Sequence, residues 1–142
     1  MGRLSPERLK EIYMYWETEV SGKLADSMKM LEQYNQDAME GFYLLRKATL
    51  KSPPEGTLTR KVQELIIVAI EAALRKDPSG HAAMAVDAGA TVQEVHDAVA
   101  IVLWLAGMPA YHEGMKAVRA AEERAAMKTE RETASKLDSS LR

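Results

Sequence analysis

The chain has 142 residues, 46% of them hydrophobic and 28% charged, enough to bury a real core in one domain and too apolar for a disordered protein. Nineteen Lys and Arg against twenty-one Asp and Glu leave a net charge of -2, which argues against a strongly basic nucleic-acid binder. There is no cysteine, so disulfides, Fe–S clusters, thiolate zinc sites and every thiol mechanism are excluded.

At the N-terminus, charges stand where a signal peptide needs an apolar block. The apolar runs at residues 65–74 and 98–108 are too short to span a bilayer, which takes about 20 residues. The expectation is a soluble cytoplasmic protein that engages neither membrane nor nucleic acid. Sustained period-two alternation and Asn-Gly or Asp-Gly hairpin turns are missing, so the fold class is all-α, with about six helices.

Ser5 and Pro6 open the first helix as N-cap and first-turn proline, and Leu9, Ile12, Tyr13, Trp16 and Val20 follow at helical spacing. Gly22 breaks it. A second stretch carries Leu24, Met28 and Leu31, and a third carries Ala38, Phe42, Leu45 and Ala48. The run KSPPEG at 51–56 is a loop, because two prolines and a glycine cannot continue a helix. Thr57 or Thr59 caps the next helix, which is apolar nearly all round and therefore central.

Asp77 and Pro78 restart the chain as N-cap and first-turn proline, and this short helix ends at Gly89. Thr91 and Glu94 form a capping box. Val95, Ala98, Val99, Val102, Leu103, Leu105 and Ala106 mark the buried stripe of the helix it opens. Gly107, Met108 and Pro109 stop that helix and start a last one with Tyr111, Met115 and Val118. From Ala120 onward the sequence reads as a solvated helix fraying into a tail. The chain is thus one helical domain over 1–126 and a charged tail over 127–142. Two such apolar helices exceed what a small monomer needs, so part of their surface is expected to be covered by another subunit. The alternative is a helix buried within a monomeric bundle.

Three histidines could carry chemistry, although each taken singly reads first as a surface or satisfied core residue. His81 sits in the first turn of its helix, where the positive helix end favours a neutral ring available as a base. His96 follows the capping box on the polar side, and His112 opens the last helix beside Tyr111. Glu64 precedes a long apolar run. It reads first as the wet edge of its helix; facing inward, it becomes a proton donor or shared-proton partner. The same two readings apply to Glu71. Arg60, Lys61, Arg75 and Lys76 read as solvated helix ends, one of which could pair with an anionic substrate. No His-x-x-x-His or Glu-x-x-His pair and no phosphate loop occurs, so no metal site is expected.

The run ELIIVAIEAAL, the segment HAAMAVDAGAT, the capped helix TVQEVHDAV and the end GMPA occur in an order that resembles the carboxymuconolactone decarboxylase family, which includes the alkyl hydroperoxidase D-like proteins. The resemblance covers residues 58–118. It implies an alkyl hydroperoxidase D-like helical bundle assembled as a homo-oligomer, trimer or hexamer, with the site near subunit contacts. Carried over by position, Glu64 and His81 match the family's proton-relay residues, and the interval between them is about two residues shorter than usual. The cysteine pair of the peroxidase branch falls on Leu74 and Asp77, so thiol peroxidase activity is excluded. What remains implied is a carboxy-lyase acting on a small lactone or aromatic-pathway carboxylic acid, without metal or organic cofactor. His81 and Glu64 would be its catalytic residues, with Tyr111 and His112 in substrate binding. A non-catalytic scaffold or small-molecule binder is the alternative.

Overall fold

The computed structural model describes residues 3–140. They form seven α-helices and one π-helical turn, with no strand among the described residues. The chain divides into two compact units, Met1–Thr57 and Leu58–Arg142.

In the first unit, α1 (Pro6–Tyr15) runs into the π-helical turn (Trp16–Val20), followed by α2 (Asp26–Tyr34) and α3 (Gln36–Thr49). Ser5 caps α1, its hydroxyl accepting from the Arg8 N–H at 3.2 Å. Asn35 caps α3 by accepting from the Ala38 N–H at 3.0 Å, a start that the sequence reading did not assign. The core is Ile12, Trp16, Leu24, Met28, Met39 and Tyr43. Phe42 and Leu45, two of the apolar residues that mark the third helix in the sequence, are exposed. The run FYLL is apolar at four consecutive positions, so stripes one residue apart fit the pattern equally well. Partners for the Tyr43 hydroxyl permit its burial: it donates to Glu11 at 2.7 Å and accepts from Lys47 at 3.0 Å.

The second unit contains α4 (Arg60–Ala73), α5 (Ser79–Asp87), α6 (Val92–Ala106) and α7 (Met108–Ser140). Thr59, not Thr57, caps α4. The Asp77 carboxylate accepts from the Ser79 N–H at 3.0 Å and from its hydroxyl at 2.6 Å, so α5 begins one residue later than expected. Gly89, at φ +94°, follows its C-terminus. Both arms of the Thr91–Glu94 capping box are formed, and Glu94 also accepts from Lys61 at 2.7 Å.

The core of this unit is built from Val68, Ala82, Ala85, Val86, Ala90, Val95, Val99, Ala117 and Ala121. Its many small side chains let the four helices approach closely. Leu103, Leu105 and Ala106 are exposed, contrary to the expected α6 stripe, while Val95, Val99 and Val102 are buried. A helix apolar all round carries no periodicity that singles out one face. The last segment does not fray: α7 is continuous to Ser140, with residues 126–139 exposed. Arg124 ties it to α5 through a two-pronged pair with Asp87 at 2.7 and 2.8 Å. Among the described residues, no helix is long and apolar enough to cross a membrane.

Candidate functional site

One face of α4 carries Arg60, Glu64 and Glu71, at spacings of four and seven residues that stack side chains along a helix. His81 reaches this face from the first turn of α5. Glu64 is 0% exposed. Its Oε2 lies 2.6 Å from His81 Nδ1, and its Oε1 lies 2.6 Å from Arg60 Nη2, an ion pair without in-line hydrogen-bond geometry. The wet-edge reading of Glu64 is therefore overturned. A buried carboxylate needs partners, and Arg60 one turn earlier and His81 on the next helix supply them. Arg60, read as a solvated end, is half-buried and paired to the buried Glu64. The Arg-x-x-x-Glu spacing was the signal for it.

A carboxylate paired to a guanidinium can only accept, which puts a proton on His81 Nδ1; in the neutral ring this leaves a bare lone pair on Nε2. Nε2 faces Glu71 Oε1 at 3.8 Å, too long for a hydrogen bond. The other oxygen of Glu71 is buried and has no hydrogen-bond partner. Burial pushes the Glu71 carboxyl above the usual carboxylate range, against the opposing pull of His81 and Lys76. The connection between α4 and α5 is tight, and Arg75 adopts a left-handed φ of 54° within it.

The other two expected site residues stand apart from this pair. The Tyr111 hydroxyl is 3.1 Å from His96 Nε2, with the two rings edge to face. His112 is exposed on α7. Neither hydrogen-bonds to Glu64 or His81 among the described residues. No cluster of three or more His, Cys, Asp or Glu side chains among the described residues is placed to hold a metal ion.

The family model of the carboxymuconolactone decarboxylase family matches residues 36–123. The chain belongs to the carboxymuconolactone decarboxylase family. A crystal structure of a Burkholderia xenovorans LB400 protein provisionally named a carboxymuconolactone decarboxylase is similar at 28% identity and a TM-score of 0.77, over 94% of this chain and 98% of that one. No curated protein matches the chain. The family match takes in α4, α5 and α6, and hence the whole Arg60–Glu64–Glu71–His81 face. This family member carries an exposed Leu74 and Asp77, whose carboxylate accepts from Ser79, where the resemblance puts a cysteine pair. Neither side chain undergoes thiol–disulfide exchange.

Proposed function

We propose that this protein is a cofactor-independent carboxy-lyase of the cytoplasm, decarboxylating a small lactone or aromatic-pathway carboxylic acid. The observation that carries this reading is the 2.6 Å bond between His81 Nδ1 and the fully buried Glu64. A ring held on one nitrogen by a fixed carboxylate presents the other nitrogen in one orientation, as proton transfer to a reacting carbon requires. Loss of CO2 leaves an electron pair that the conjugated lactone accepts, and His81 delivers the proton that replaces the carboxyl group. Glu64 orients the ring, and Arg60 balances Glu64. Tyr111 and His112 are proposed only as contributors to substrate binding from α7. Family membership supports the reaction class, and the chemistry of the face supports the roles.

Self-association belongs to the same proposal. Ile66 and Ile70 on α4, Leu74 at its C-cap, and Ile101, Trp104 and Leu105 on α6 are exposed, Trp104 by 84%. A second copy of the chain is the occupant we propose for them.

The test is CO2 release from γ-carboxymuconolactone, with loss of the lactone's ultraviolet absorbance, for wild type and His81→Gln side by side. Turnover is expected from wild type, and a fall of about 100-fold or more in the variant. Equal turnover in both would remove His81 from the chemistry, and none in wild type would remove the proposed substrate.

A further inference from the structure

The resting tautomer assigned to His81 leaves a gap in the proton path. Nδ1–H is committed to Glu64, so in the neutral ring Nε2 has no proton to give, yet replacing CO2 by hydrogen consumes one. Glu71 is the group that faces Nε2, 3.8 Å away. Its second oxygen is buried without a partner, a setting in which a neutral carboxylic acid sits more easily than a carboxylate. A neutral Glu71 also leaves the face free of a second negative charge. Arg60 already offsets Glu64 across 2.6 Å, so an ionised Glu71 would repel an incoming substrate carboxylate.

We propose that Glu71 is the proton supply of this site: its carboxyl passes a proton to His81 Nε2, which hands it to the substrate carbon. This rests on the carboxy-lyase reading above. The step balances. The substrate carboxylate leaves as CO2, its bonding pair stays in the conjugated lactone, the Glu71 proton reaches the carbon through Nε2, and a proton taken up from solvent restores Glu71. The sum is one carboxylate and one proton in, one C–H bond and CO2 out. A side-chain rotation of Glu71 closes the distance to Nε2. The charged groups acting on Glu71 agree with this role. Burial is the largest influence and raises its proton affinity, Asp77 and Glu64 add to that, and Lys76, with His81 whenever its ring is charged, opposes it. Seen from the sequence, Glu71 is the acid two turns after Glu64 within ELIIVAIEAAL.

The experiment uses the full chain. A 13C NMR titration of the glutamate carboxyls, with the Glu71 resonance assigned by its loss in Glu71→Gln, is paired with pH–rate profiles on γ-carboxymuconolactone for wild type, Glu71→Gln and Glu71→Asp. Glu71 is expected to titrate at higher pH than the exposed glutamates. Glu71→Gln should lower kcat about 100-fold with little change in KM, and Glu71→Asp should restore most of it. Wild-type kcat should fall as pH rises through the Glu71 titration, and that limb should be absent from the Gln variant. Titration of Glu71 among the exposed glutamates, or wild-type kcat in Glu71→Gln, overturns the proposal. Should wild type leave the lactone untouched, the carboxy-lyase reading falls on its own. The titration then decides alone whether Glu71 stores a proton.

Discussion

Glu64 is the residue on which the site turns. Removing a carboxylate that is fully buried between a guanidinium and an imidazole leaves Arg60 unpaired and His81 free to rotate. Glu71 follows a different rule, because folding raises its proton affinity. A carboxyl of that kind contributes fully below its unfolded titration range, and the contribution is lost as pH rises through the folded one. Glu71→Gln, neutral at every pH, should therefore flatten this part of the curve. Urea unfolding is expected to show the variant gaining on wild type as pH rises from the ordinary glutamate range through the raised titration of Glu71 in the folded protein. Parallel pH curves would mean that Glu71 is not burdened by burial. Sequence alone left both acids between an inward and an outward reading. The composition around Glu64 is compatible with either, and only the arrival of His81 from α5 decides it. Leu74 and Asp77 were read correctly as lacking any redox chemistry, because that depends on residue identity and not on placement.

At the scale of elements, starts and stops were the most legible features. Ser5, Thr59, Asp77 and the Thr91–Glu94 box all accept backbone N–H groups close to where the sequence placed helix starts, because a cap is a local hydrogen bond. Burial was legible only where one stripe exists. Phe42 and Leu45 on α3, and Leu103 and Leu105 on α6, point outward because their helices offer several apolar faces. The approach of α7 to α6 and α4 depends on Gly114. A Cβ there would meet a Val99 methyl at 2.4 Å and Ala72 Cβ at 3.2 Å. In an exposed helix, Gly→Ala gains about 1 kcal/mol from propensity. Here overpacking should win, and Gly114→Ala is expected to lose about 1–3 kcal/mol in urea unfolding. A stabilised variant would show that α7 can shift away from α6 without loss.

For the whole molecule, the decisive observation is the amount of large apolar surface on the second unit. Ile66, Ile70, Leu74, Ile101, Trp104 and Leu105 come from two helices of the same unit, which is more than isolated exposed side chains would give. Sedimentation of wild type is expected to give a homo-oligomer, and Trp104→Glu combined with Ile70→Glu should dissociate it while the helical circular dichroism is retained. A monomeric wild type would remove the second copy as the occupant of this surface. The sequence signalled the excess of apolar helix, but it could not say which faces stay uncovered within one chain.

Whether Glu64 holds His81 with Nε2 bare is decided most directly by long-range 1H–15N NMR of the histidine rings, in wild type and Glu64→Gln. The expected wild-type result is a His81 ring protonated on Nδ1, with that proton shifted downfield by its bond to the carboxylate, and loss of this signature in the variant. A His81 protonated on Nε2 at rest, or resonances unchanged by Glu64→Gln, would contradict the proton path from Glu71 through His81 to substrate.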